Sequence, residues 1–267
     1  LSELKRSDLF ISGGGGLFQD VTGLGSVPYY GGLLYLAQKL NVPTLLFAQG
    51  IGPLRYSLNR YILASILKKV DRITVRDASS VEFLQSLGIP AATIKLTADP
   101  VLTLKPVPRS RVQELLSEAG VSLTQPIIGV SIRAWKSWYE KQLKSFTAVL
   151  AQFANLIQAQ IMLIPFQYQQ DKWLAEEAAY SLRCRPTSNL PSVILLQKRY
   201  TPEEMLGIIG YTDIVIGMRL HSLIMAAAQC IPAVGIVYDP KVRHFAETVG
   251  FRCMSSVSSL TQSEFFY

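Results

Sequence analysis

Short runs rich in β-branched residues alternate with longer apolar stretches of helical period along nearly the whole chain. Asp8–Ser12, Thr44–Ala48, Arg72–Arg76 and Ala92–Leu96 read as strands, and Pro28–Leu40, Tyr56–Val70 and Asp77–Ser86 read as the helices between them. The strands show little polar alternation, the pattern of parallel strands covered on both faces. After Thr103–Pro108, which carries Pro106 and Pro108 and no regular period, the alternation restarts. Strands are expected at Ile127–Ile132, Ile161–Ile164, Val193–Leu196, Ile214–Ile216 and Ala233–Val237. Helices are expected at Arg109–Ala119, Glu140–Gln158, Lys172–Leu182 and Lys241–Val249. Thr201-Pro202-Glu203-Glu204 has a capping residue, a proline at the first helical position and a glutamate three places after the cap, which together start another helix. The expected fold is α/β, with two Rossmann-like lobes of mainly parallel sheet, residues 1–105 and 106–267. A cleft between them is the expected ligand site.

Chemistry-bearing residues fall where strands end. Ile214–Gly217 is followed by Met218-Arg219-Leu220-His221-Ser222 and then by the helix-forming run to Ala228. A helix start offers unpaired N–H groups and partial positive charge, and an arginine fork beside it suits a carboxylate or phosphate. The plainer alternative pairs Arg219 with a structural carboxylate and leaves His221 as a satisfied boundary histidine. Arg133 closes the strand from Ile127 and is expected at the same sheet edge, so two arginines would suit a doubly anionic ligand; a surface ion pair is the alternative. Gly13-Gly14-Gly15-Gly16 follows the first strand without the lysine of a phosphate-binding P-loop. Its backbone is expected to approach a ligand closely, or simply to turn. Asp20 reads as a base, a hydroxyl-binding group or a cap, Asp77 as a helix cap, and Lys241 as a further cation or a solvated side chain. His244 reads as surface.

Composition narrows the setting. The chain of 267 residues is 49% hydrophobic with a formal charge of +7, a balance that suits anionic small molecules or an anionic membrane surface. No basic patch interleaved with aromatics points to nucleic acid. Cys184, Cys230 and Cys253 form no CxxC, and no cluster has metal-ligand spacing, so no metal or organic cofactor is expected and a reducing cytoplasm fits. No apolar run is long enough to span a membrane.

Gly13–Asp20, Ala48-Gln49-Gly50-Ile51-Gly52-Pro53, Val75-Arg76-Asp77-Ala78-Ser79-Ser80, Ala98-Asp99-Pro100, Val130-Ser131-Ile132-Arg133, Gly217–Ser222 and Tyr238-Asp239-Pro240-Lys241-Val242 occur in an order that resembles the polysaccharide pyruvyl transferase family, including members that pyruvylate cell-wall polymers. The resemblance implies a GT-B-like fold, phosphoenolpyruvate as donor and a pyruvate ketal on two sugar hydroxyls as product. It associates Arg133, Arg219 and His221 with the donor. It places Gly14, Gly15, Gly16, Asp20, Gln49, Asp77, Leu220 and Lys241 among the substrate-binding positions. It also implies a glycan acceptor, lipid-linked or polymeric, met at the cytoplasmic face of the membrane, and further strand–helix units ahead of Leu1. Two rivals remain open: a sugar-nucleotide glycosyltransferase of the same architecture, with Asp239 holding a ribose, and a non-catalytic glycan-binding relative.

Overall fold

A computed structural model describes residues 1–21, 23–134, 140–185 and 190–254. The chain divides into two compact units, Leu1–Pro100 and Val101–Tyr267. The division falls ahead of the proline pair because Val101, Leu104 and Val107 pack on the core of the second unit, where the Val107 N–H donates to the Glu203 carbonyl at 3.3 Å.

In the first unit, a single helical turn, α1 (Ser2–Lys5), precedes four parallel strands: β1 (Phe10–Gly13), β2 (Thr44–Gln49), β3 (Arg72–Val75) and β4 (Ile94–Leu96). They stand side by side in chain order. The connecting helices are α2 (Ser26–Lys39), α3 (Ser57–Leu67) and α4 (Ala78–Ser86). The core joins Leu46, Ile73 and Val75 of the strands to Leu34, Leu63, Leu67 and Leu84 of the helices. Side chains of alternate parity on β1 and β2 point away from it, and Ile11 and Phe47 there are exposed.

The second unit is a six-stranded parallel sheet built from β5 (Ile127–Ser131), β6 (Gln160–Leu163), β7 (Val193–Leu195), β8 (Ile214–Gly217), β9 (Ala233–Ile236) and β10 (Arg252–Met254), in the order β10-β9-β8-β5-β6-β7. Its helices are α5 (Arg109–Glu118), α6 (Glu140–Leu156), α7 (Tyr168–Arg183), α8 (Pro202–Ile209), α9 (Leu220–Ala228) and α10 (Pro240–Val249). One face of the sheet packs Ile128, Val130, Ile161 and Leu163 against Phe146, Leu150 and Leu174. The other packs Ile127, Met162 and Val215 against Leu116, Leu206 and Leu223. β5 and β6 are therefore buried at every position, as the apolar runs require. Winding outward from β5 in both directions is the dinucleotide-fold arrangement, and its switch point lies between β5 and β8. Three-residue β10 and the single turn α1 escape sequence reading, being too short to show a period. α7 begins at Tyr168, a turn ahead of the expected Lys172, which puts Asp171 inside its first turn.

Candidate active site at the sheet edges

In the second unit the relevant residues lie at the carboxyl ends of β5, β8 and β9. Ser131 pairs with Gly217 across β5 and β8, and Gly217 with Gly235 across β8 and β9. Beyond β8 the Met218 N–H donates to the Ser131 carbonyl at 2.7 Å, and the Ser222 N–H donates to the Arg219 carbonyl at 2.9 Å. Gly217 is required by closeness, since a Cβ there would run into Ser222 Oγ and Leu223. Helix α9 thus starts directly on the strand end, with Arg219 at its N-cap and Leu220 and His221, both half-buried, in its first turn.

The two arginines diverge. Arg219 Nε donates to Asp171 Oδ2 at 3.0 Å and its Nη2 to Asp171 Oδ1 at 2.5 Å, with Gln170 Oε1 at 3.4 Å. Asp171 is fully buried, and its Oδ2 also accepts the Gln167 N–H at 2.8 Å. The structural-carboxylate alternative for Arg219 is therefore realised in the fold. Because α7 follows β6, Arg219 reaches across the end of β5 to meet it. Arg133 reaches the other way. Its Nη1 donates to the Tyr238 hydroxyl at 3.2 Å, and the guanidinium lies 5.0 Å from the centre of the Tyr238 ring. Asp239 caps α10 by accepting the Lys241 N–H at 2.9 Å, Lys241 is half-buried, and His244 is exposed. Ser131 Oγ is buried without a hydrogen-bond partner among the described residues.

The first unit concentrates its motifs on its own carboxyl edge. Gly14 and Gly15 have φ of 76° and 64°, which glycine adopts without strain, and a Cβ on either would meet nothing within 4 Å. Their requirement is conformational, not one of closeness within the fold. The Gly15 carbonyl accepts the Gly50 N–H at 2.9 Å and the Phe18 carbonyl accepts the Gly52 N–H at 2.8 Å, tying the loop after β1 to the one after β2. Gly16 lies half-buried in the same turn. Gln49 is fully buried; its Nε2 donates to Ser12 Oγ at 3.0 Å, while its Oε1 has no partner among the described residues. Arg76 and Asp99 form a buried ion pair at 2.5 Å between the ends of β3 and β4. Asp77 caps α4 through the Ser80 N–H at 2.8 Å and also accepts the Ser80 hydroxyl, whose oxygen takes the Ile51 N–H at 2.8 Å.

Asp20 is committed to the chain just ahead of α3. Its carboxylate accepts the backbone N–H groups of Arg55 and Tyr56 at 2.8 and 3.1 Å and the Asn59 amide at 3.3 Å, holding the entry of α3. Burial alone would raise its pKa, but these hydrogen bonds and the Arg55 charge outweigh it and hold the carboxyl below its ordinary value. The lowered pKa makes it a weaker base than an ordinary aspartate, and its oxygens are already occupied by these donors. A cavity of about 460 Å³ bordered by Glu118, Arg183, Lys198 and Tyr200 lies along β7 and shares no residue with either edge cluster.

Two stability predictions follow from these contacts. Asp20→Asn lowers stability at neutral pH by about 1.5–3 kcal/mol, the range of a charge-assisted hydrogen bond. A depressed folded pKa stabilises above the unfolded value and loses that effect as pH falls through the folded one, so the gap between wild type and Asp20→Asn narrows below about pH 4 in urea titrations. Arg219→Ala strands a buried carboxylate and costs about 3–5 kcal/mol. Adding Asp171→Asn, which still accepts the Gln167 N–H, restores much of the loss; equal midpoints for the single and double variants would show that the pair does not support the fold.

Comparison with known proteins places this geometry. By overall fold the chain is similar to UDP-GlcNAc 2-epimerase from Methanocaldococcus jannaschii, with a TM-score of 0.66 at 12% identity over 99% of this chain and 71% of that one. The epimerase from Rickettsia bellii gives 0.61 at 14% over 99% and 64%. Anabaena HepE in complex with UDP and glucose gives 0.60 at 11% over 98% and 69%. At such identities the likeness is one of fold, α/β with parallel sheets and GT-B-like. No curated protein matches the sequence. The model of the polysaccharide pyruvyl transferase family matches residues 2–240, a span that takes in β1 to β9 and ends just ahead of Lys241. The chain belongs to the polysaccharide pyruvyl transferase family.

Proposed function

We propose that the chain transfers pyruvyl from phosphoenolpyruvate to two hydroxyls of a glycan sugar, releasing phosphate and leaving a ketal, in cell-wall or extracellular polysaccharide synthesis. The observation that carries this reading is the family match together with Arg219 at the α9 start beside the β5/β8 switch point; Arg133, on the neighbouring strand end, would have to leave Tyr238 to join it at one ligand. A carboxylate and a phosphate on one small donor match that set of donors. Arg219 keeps Nη1 outside its bond to Asp171, so it offers the ligand one edge of its guanidinium while the other is anchored. Lys241 would add charge from the β9 side.

His221 delivers a proton to the methylene carbon, making it the methyl group and leaving C2 electron-poor. The first sugar hydroxyl adds to C2 and gives up its proton. The C2–O bond to phosphate then breaks and the second hydroxyl closes the ketal; of the two hydroxyl protons, one replaces that given by His221 and the other leaves with the phosphate. The helix start disfavours the imidazolium of His221, and the bound dianion favours it, which couples proton supply to donor binding. On the first unit, the open space at Gly14 and Gly15, where a Cβ would meet nothing within 4 Å, suits a sugar against the backbone. Among the described residues no helix is long and apolar enough to cross a membrane. A cytoplasmic enzyme that meets a lipid-linked or polymeric acceptor at the inner membrane face is the setting we propose.

Titration with phosphoenolpyruvate and, separately, with UDP-glucose tests the donor. The second ligand is included because the similar HepE structure holds UDP and glucose. Arg133→Ala weakens phosphoenolpyruvate binding about tenfold to a hundredfold, as expected for loss of a charge-assisted bond. His221→Ala lowers turnover about a hundredfold to ten-thousandfold with little change in donor affinity. Arg219→Ala is read in the Asp171→Asn background, which separates ligand loss from fold loss. Saturable binding of UDP-glucose and none of phosphoenolpyruvate would transfer the site to a sugar-nucleotide enzyme.

A further inference from the structure

Between Asp20 and Asp71 the chain has no acidic residue, while it carries Lys39, Arg55, Arg60, Lys68 and Lys69. This stretch forms α2 and α3, which lie side by side over one face of the first sheet. They are joined by the Gln38 amide donating to the Ile66 carbonyl at 3.0 Å, and Gly31 admits Ile66. Their inward faces are filled by Val27, Leu34, Leu63 and Leu67. Their outward faces should then be polar, as on a solvated helix. They are not. Tyr29 and Leu36 on α2, and Leu58 and Tyr61 on α3, are exposed by 64%, 38%, 67% and 75%. On α2 the exposed residues Tyr29, Leu36 and Lys39, and on α3 Leu58, Tyr61 and Ser65 with Lys68 at its C-cap, recur at helical spacing.

We propose that the outer face of α2 and α3 is a docking surface for an anionic lipid bilayer. Tyrosine and leucine set among lysines, with no carboxylate to repel phosphate, is the composition of an interfacial helix surface. Tyrosine rings settle at the headgroup level and lysine stems lie along apolar surface with their ammonium groups in water. Lys39 already stands 5.5 Å over the Tyr35 ring in this manner. A protein partner fits less well, because interface cores are depleted in lysine. Both helices start at the carboxyl edge of their sheet, so the face adjoins the edge that carries Gly14–Gly16 and Gln49. Docking there would bring an acceptor carried by lipid to that edge. The inference rests on the membrane part of the proposed function and gives it a location.

The test is co-sedimentation of the full chain with phosphatidylcholine vesicles, with and without phosphatidylglycerol, in the absence of any substrate. The expected result is binding that requires the anionic lipid and weakens with salt. Lys68→Glu with Lys69→Glu should lower affinity by about tenfold or more, given roughly fivefold per basic group near a charged surface. Leu58→Glu with Tyr61→Glu should lower it at least as far without shifting the thermal midpoint, since both side chains are exposed. No binding to anionic vesicles, or unchanged binding of the Leu58→Glu, Tyr61→Glu variant, overturns the proposal. So does a change in sedimentation mass in that variant with vesicle binding intact, which would make the face a protein interface. Phosphoenolpyruvate turnover on a soluble acceptor is scored in parallel: a chain that binds vesicles but does not use phosphoenolpyruvate keeps the docking face and loses the pyruvyl reading.

Discussion

The carboxyl edge of the second sheet depends on a buried charge being answered. Asp171 has no access to solvent, and removing a carboxylate from water is expensive enough to unfold a domain unless a cation meets it with good geometry. Arg219 does so with two parallel bonds, and the Gln167 N–H supplies a further donor. That single contact fixes the first turn of α7, the exit of β8 and the start of α9 against one another. It also holds the Arg219 guanidinium in one orientation at the switch point. Preorganisation of this kind removes rotamer entropy from the binding step.

The first unit reaches a similar rigidity by different means. Its edge loops are stitched by backbone bonds between Gly15 and Gly50 and between Phe18 and Gly52, and by the buried Arg76–Asp99 pair. Carboxylates there are committed to helix starts: Asp20 to α3 and Asp77 to α4. What is left for chemistry is backbone, amide and hydroxyl.

Local signals carried the sequence reading far. Asp77 as the N-cap of α4 and the Thr201–Glu204 capping box are both found where their spacing puts them, because each motif is satisfied within a few residues. The strands were legible for the same reason that they are buried: parallel strands covered on both faces cannot hide their apolar runs. Partners distant in sequence were not legible. Asp171 meets Arg219 from 48 residues away, and Asp20 holds the entry of α3 through Arg55, 35 residues downstream. An acid in a first helical turn was the available hint at Asp171, but placing the start of α7 at Lys172 left that residue outside the helix. The boundary between units likewise depends on where Val101, Leu104 and Val107 pack, which no proline can announce.

The Asp171–Arg219 pair also constrains how the family can drift. Neither position can lose its charge alone without stranding the other, and a swap would put the cation on α7, away from the α9 start. Among relatives the two positions should therefore change together or not at all, which makes their joint identity a marker of whether the starts of α7 and α9 are still locked together in a distant member.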